Sequence, residues 1–219
     1  MDEPTHRPAC RGVVWLLTVA ALMAAKPVSA GTSVFQTAPS DPRAVTVAAK
    51  GDGRADDTDA IQHALDAATE HSAGGLVFLP SGRYRITHTL LVSPGVRLYG
   101  VGARRPVLVL GSHTPGFQHG VGSMVVFTGA RPGDPVRTGP GPSEARVPFA
   151  PPTLVPFDPK VADANSSTFY SVLSNIDIEI GPGNPAATGI RFRVAQHAYL
   201  SNMDFHLGSA LAGIYQAGN

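Results

Sequence analysis

Of 219 residues, only one is a cysteine, Cys10, and only one is a tryptophan, Trp15. A lone cysteine cannot close an intramolecular disulfide, so stability has to come from packing. Charged residues are scarce as well, 15% against 43% hydrophobic, which excludes a chain kept disordered by charge. The formal net charge is +1, with no basic run or stripe, so no nucleic-acid partner is expected. The eight histidines are scattered without ligand spacing, and no metal site is expected from them. What the chain has in quantity is Gly 24 and Pro 20. Both favour frequent turns and a β-rich fold over a helical one.

Both rare residues fall in a leader-like segment. Arg7 and Arg11 make a positive end, and the 14 residues from Gly12 to Ala25 are nearly all apolar. Val28-Ser29-Ala30 then sets small residues at the spacing a signal peptidase reads. The apolar run falls short of the ~20 residues of a membrane span. Residues 1–30 are therefore read as an export signal, which implies a secreted or periplasmic protein without stable membrane association after cleavage. Its removal takes away three bases and two acids, leaving 14 of each, and no cysteine.

Residues 31–43 are polar and Pro-containing, and read as a flexible lead-in. Val45-Thr46-Val47 reads as a strand. A Gly- and Asp-rich turn follows, Lys50 to Asp59, in which Asp57 or Thr58 can cap a helix. Ile61, Ala64, Leu65 and Ala68 then fall at i, i+3, i+4 and i+7, one apolar stripe over a helix near Asp57 to Thr69. Beyond Ser72–Gly75 the period drops to 2. Leu76–Leu79, Tyr84 and Ile86 alternating with Arg83 and Arg85, Leu90–Val92, Val96–Tyr99 and Val107–Leu110 are short runs separated by Gly and Pro. Residues 111–165 break the texture, with nine prolines between Pro132 and Pro159, and read as an insertion laid over the surface.

A repeat appears after Phe169. Ser174-Asn175-Ile176-Asp177-Ile178-Glu179-Ile180-Gly181 matches Ser201-Asn202-Met203-Asp204-Phe205-His206-Leu207-Gly208 at an offset of 27, and Gly189-Ile190 recurs as Gly213-Ile214 at an offset of 24. Short strands at this period fit the coils of a β-solenoid, each burying its apolar row against the next. Pleating puts Ile176, Ile178 and Ile180 inside, with Met203, Phe205 and Leu207. Asp177, Glu179, Asp204 and His206 then face outward, with Asp204 beside Asp177 and His206 beside Glu179 across a spacing of ~4.8 Å. Ile190, Phe192 and Val194 face in, which leaves Arg191 and Arg193 outside on the adjoining strand.

Ala49-Lys50-Gly51-Asp52-Gly53, Asp56-Asp57-Thr58-Asp59-Ala60-Ile61 and Gly74-Gly75-Leu76-Val77-Phe78-Leu79-Pro80-Ser81-Gly82-Arg83-Tyr84 together resemble the opening of the pectate-lyase-3 group. That group is similar to rhamnogalacturonases, phage tailspikes and glycoside hydrolase families 28 and 55. The resemblance implies an all-β, right-handed parallel β-helix with an N-terminal capping helix, here spanning residues 44–219. No closing segment follows Ile214-Tyr215-Gln216, and the helix is expected to continue beyond Asn219. Asp56 and Asp57 belong to the structural part of the motif.

The resemblance also implies a polysaccharide partner, with several chemistries open. A glycoside hydrolase needs two carboxyls, for which Glu179 and Asp204 are the candidates. A polysaccharide lyase needs a base and a cation for the substrate carboxylate. Arg191 and Arg193 can supply the cation, and Ca²⁺ held by Asp177 or Asp204 is the one cofactor considered. Asp177, Arg191, Arg193 and His206 are candidate substrate-binding residues. The third reading is a non-catalytic carbohydrate-binding or structural β-helix, with Tyr99, Tyr170, Tyr199 and Tyr215 as its aromatic platforms.

Overall fold

A computed structural model describes residues 29–70, 74–131 and 162–215. The predicted signal up to residue 28, and residues 132–161 of the predicted insertion, lie outside them. Val45–Thr46 (β1) and Asp52–Asp56 (β2) lead into the helix Thr58–Ala68 (α1). Four sets of three strands follow. The first is Leu76–Pro80 (β3), Arg83–Ile86 (β4) and Leu90–Val92 (β5), and the second Arg97–Val101 (β6), Val107–Leu110 (β7) and Gly122–Phe127 (β8). The third is Val172–Ser174 (β9), Asp177–Ile180 (β10) and Ala187–Arg191 (β11), and the fourth Tyr199–Ser201 (β12), Phe205–His206 (β13) and Ala212–Tyr215 (β14).

Each coil gives one strand to each of three sheets: β1-β3-β6-β9-β12, β2-β4-β7-β10-β13 and β5-β8-β11-β14. All pairings between these strands are parallel. This is the parallel β-helix that the repeat predicts. Ser174 pairs with Ser201 and Ile178 with Phe205, at the offset of 27, and Ile190 pairs with Ile214, at the offset of 24.

Identical pleat positions stack into columns, and the columns are the core. Val77, Leu98, Leu173 and Leu200 form one. Tyr84, Leu108, Ile178 and Phe205 form a second, and Leu90, Val125 and Ile190 a third. All but Leu200 and Phe205 are buried, and those two pack against the cluster from the fourth coil. The first end is covered by α1, whose Ile61, Ala64, Leu65 and Ala68 are buried as their spacing predicts. Corners between the first and second sheets are tight. Asn175 and Asn202 take them with φ of 61° and 52°, a left-handed conformation that asparagine tolerates better than most residues.

Three expectations are corrected. Asp57 occupies the N-cap position without capping the helix; its carboxylate accepts the Lys50 and Gly51 amides at 2.9 and 3.1 Å. Asp56 binds the Thr58 amide instead, at 3.1 Å, and the Thr58 and Thr87 hydroxyls. Although burial opposes its charge, these hydrogen bonds hold the Asp56 carboxyl below its ordinary pKa. Secondly, the lead-in is strapped down. Thr32 bridges Arg104, Val34 donates to Asn175 Oδ1 at 3.0 Å, and the Asn175 amide donates to Ser33 Oγ at 2.8 Å. Thirdly, the predicted insertion at 111–165 includes β8, whose Val125 and Phe127 are core residues. A run this short between Gly-rich flanks gives no periodic signal.

Candidate functional site

The outer face of the second sheet carries the predicted acids. Glu179 lies beside His206, and the Asp204 amide donates to Asp177 Oδ1 at 2.9 Å. The predicted register is therefore the observed one. The predicted openness holds for Asp204, whose side chain is 57% exposed, but not for Asp177 or Glu179, which arginines from earlier coils cover. Arg83, Val107 and Asp177 stand in one column, and Arg85, Val109 and Glu179 in the next. The middle rung offers only valine, so Arg83 reaches over it to Glu179 Oε1 at 2.7 Å. Arg105 Nε stands 2.8 Å from Asp177 Oδ1, and its guanidinium also pairs with Asp204. The Gly31 amide donates to Asp177 Oδ2 at 3.0 Å.

Asp177 is consequently 1% exposed. Its charge is outside the core but under the Arg105 side chain and the lead-in. Both of its oxygens are engaged, and a guanidinium joins it to Asp204. The pair therefore does not fit a Ca²⁺ site, which needs several free oxygens converging on one point. The hydrolase pair fares similarly. Glu179 holds Arg83, Asp204 holds Arg105, and the two carboxylates lie on diagonal, not opposed, positions of β10 and the turn before β13. Arg83 and Arg105 are what sequence reasoning missed. Arg83 alternates with buried Tyr84 and so points outward, but nothing in the sequence aligns it with a residue 96 positions later.

The arginine pair of the third sheet is likewise covered. Arg191 is 4% exposed and binds Asp163 through Nε and Nη2 at 2.9 and 2.5 Å. Arg193 Nη1 reaches the same carboxylate at 3.2 Å. The expectation that both arginines are free on an outer face is corrected, since the returning end of the insertion lies over them.

The first sheet is different. Arg97, Val172 and Tyr199 share one outward column, and Tyr99, Ser174 and Ser201 the next. No carboxylate stands in either. Tyr99 and Tyr199 lean across β9 until their hydroxyls are 2.8 Å apart. Burial and the Tyr199 hydrogen bond push the Tyr99 hydroxyl up to about 12. Tyr170, at the entry to β9, stacks on His197 with ring centroids 5.1 Å apart and planes at 9°. Arg97 lies between the two pairs. Its Nε donates to the Tyr170 carbonyl at 3.3 Å, and its terminal nitrogens meet no acceptor among the described residues. Tyr170 and Tyr199 are 51% and 45% exposed, and Phe169 beside them 37%. Three of the four predicted tyrosine platforms thus come together; Tyr215 is apart, on β14. Such a strip offers flat apolar faces for sugar rings, hydroxyls for their oxygens and one cation for an acid group.

Residues 44–138 match the family model described as rhamnogalacturonase A/epimerase, pectate lyase-like. Alginate lyase 7 of Azotobacter vinelandii is 45% identical over 69 residues, 28% of this chain and 8% of that protein. Mannuronan C5-epimerase AlgE3 of the same organism is 44% identical over 69 residues, 28% of this chain and 4% of that protein. The match spans less than a tenth of either curated relative. Among solved structures, the ORF18 protein of Geobacillus virus E2 is 20% identical with a TM-score of 0.43, over 76% of this chain and 26% of that one.

Proposed function

We infer that this protein, whose residues 44–138 match the pectate lyase-like family model, is exported and acts on an acidic polysaccharide, with lyase- or epimerase-type chemistry rather than glycosidic hydrolysis. One observation carries the choice of substrate: the strip of Tyr99, Tyr199, Tyr170 and His197 around Arg97, whose terminal nitrogens meet no protein acceptor among the described residues. A uronate chain presents ring faces and a carboxylate at every sugar, and the strip complements both. The similarity to an alginate lyase and a mannuronan epimerase over 69 residues supports the reaction class. The pairing of Glu179 with Arg83 and of Asp204 with Arg105 weighs against a hydrolytic acid pair.

Affinity electrophoresis tests the reading. Polymannuronate in the gel should retard the protein and a neutral glucan should not. Arg97→Gln should weaken retardation about tenfold, the loss of one contact of ~1.4 kcal/mol. Equal retardation by both polymers, or none by either, refutes the substrate class. Ultraviolet absorbance of an unsaturated uronate product reports elimination, and exchange of sugar C–H protons with heavy water reports epimerisation. The engagement of both candidate acids by arginines also supports a binding-only role, for which retardation without either product is the expected result.

A further inference from the structure

We propose that hydrolysis of the Ala30–Gly31 peptide bond is a maturation step that places a new α-ammonium group at Gly31 against the buried carboxylate of Asp177. This rests on the export reading and goes beyond it, by giving the new terminus a structural task. Two independent observations meet at one bond. The sequence sets the small residues Val28, Ser29 and Ala30 directly before Gly31. The fold, from residues far along the chain, sets the Gly31 nitrogen 3.0 Å from Asp177 Oδ2.

The step needs only water and an endopeptidase that reads small residues. The Ala30 carbonyl carbon gains the hydroxyl, the C–N bond breaks, and the Gly31 nitrogen takes the proton. At neutral pH that nitrogen binds one further proton and becomes a cation, where before it was a neutral amide. Its surroundings lack one positive charge. Asp177 and Asp204 contribute two negative charges and Arg105 one positive. The remaining cation nearby, Arg104, is exposed, and its guanidinium donates to the Ala30 carbonyl, which leaves with the signal. A terminal ammonium at Gly31 neutralises the cluster.

Gly31 stays in place without the residues before it. Its carbonyl accepts the Arg105 amide at 3.0 Å, and Thr32, Ser33 and Val34 are held by Arg104 and Asn175. Glycine at this position also leaves room for the Arg105 guanidinium. A Cβ there would lie 1.9 Å from Arg105 Nη2, displacing the guanidinium that joins the two carboxylates.

An α-amino group ordinarily titrates at ~7.7–8.0, and a carboxylate in contact raises that value. The facing groups are Asp177 and Asp204, which raise it, and Arg105, which lowers it; Arg104 is screened by solvent. The stabilisation is then complete below the ordinary value and is lost as pH rises through the raised one.

The test uses protein recovered from the exporting host. N-terminal sequencing should give Gly31. Its amine, followed by NMR, should titrate about one unit or more above the ordinary range. Acetylating that amine should lower the melting temperature at neutral pH by about 3 °C, and in Asp177→Asn, if it folds, acetylation should have no effect. A terminus at Gly31 whose amine titrates ordinarily, and whose acetylation changes nothing, overturns the pairing while leaving export intact. A different terminus on exported protein overturns the proposal alone. A full-length chain retained in the cell overturns both this proposal and the export reading.

Discussion

Asn175 is the residue whose loss should cost the fold most for its size. It is fully buried at the corner between β9 and β10 with φ of 61°. Its amide donates to the Gly100 carbonyl at 2.7 Å and to Ser33 Oγ at 2.8 Å, and its Oδ1 accepts the Val34 amide at 3.0 Å. Asn175→Ala removes all three bonds, each worth about 1 kcal/mol net. It also leaves an alanine in the left-handed region, at a cost of about 1–2 kcal/mol. The sum is about 4–5 kcal/mol, a large part of the ~5–15 kcal/mol of a folded domain. Asn175→Gly loses the same bonds without the backbone cost, so it should lie about 1 kcal/mol above the alanine variant. Urea unfolding measures both, with a slope of ~1–3 kcal/mol per molar. The alanine midpoint should fall by about 2 M. Proteolysis should also cut near Val34 in both variants, because the lead-in loses its anchor. An alanine variant within about 1 kcal/mol of the parent refutes the hydrogen-bond account. Alanine and glycine variants of equal stability refute the backbone account.

Further outcomes follow from the same geometry. Ile178→Ala removes a fully buried side chain stacked between Leu108 and Phe205 and should cost about 2–5 kcal/mol in urea unfolding. In alkaline spectrophotometric titration Tyr99 should ionise near 12, and Tyr199→Phe should lower that midpoint without restoring it to ~10, because burial remains the larger cause. Because the folded value is raised, the contribution of Tyr99 to stability is present below ~10 and is lost as pH climbs towards 12. For Asp56 the sign is opposite. Its folded value is depressed, so its contribution is present above the ordinary ~3.9 and disappears as pH falls through the lowered value, a dependence that Asp56→Ala should reduce in acid unfolding curves.

Local periodicity was enough to read the coils. The stripe of Ile61, Ala64, Leu65 and Ala68 folds as a buried helix face, and the matched octapeptides from Ser174 and Ser201 lie side by side. Pleat alternation also separates Ile178 from Asp177 and Glu179 correctly. Stacking between distant coils was not legible. The partners Arg83 and Glu179 are 96 residues apart, with the insertion between them, so no local repeat sets their register. The lead-in has no periodicity because its ties are made by single polar atoms of Asn175 and Asp177. A sequence shows that these residues are polar but not that they are covered. The aromatic strip had the same difficulty. Tyr99, Tyr170 and Tyr199 were each identifiable as platforms, yet only the coil register puts Tyr99 and Tyr199 in contact across β9.

The three outer faces differ in what they leave available. On the second sheet a valine rung separates Arg83 from Glu179, and Arg83 crosses it to tie the first coil to the third, while Arg105 of the second coil joins Asp177 of the third and Asp204 of the fourth. Their side chains are mostly covered, which shields the pairs from solvent and makes breaking one by removing a single partner costly. That is a way to lock stacking register when the core columns, built from interchangeable aliphatic residues, specify it weakly. On the third sheet Asp163 fixes the returning end of the insertion onto Arg191 and Arg193. In both places charge is consumed internally. On the first sheet the outward columns around Arg97 contain hydroxyls, a valine and aromatic rings but no acid. A cation set among exposed rings, with no acceptor for its terminal nitrogens among the described residues, contributes little to folding. It is therefore the group on which the proposed binding role rests, and Arg97→Gln should weaken retardation by polymannuronate while leaving the unfolding curve unmoved.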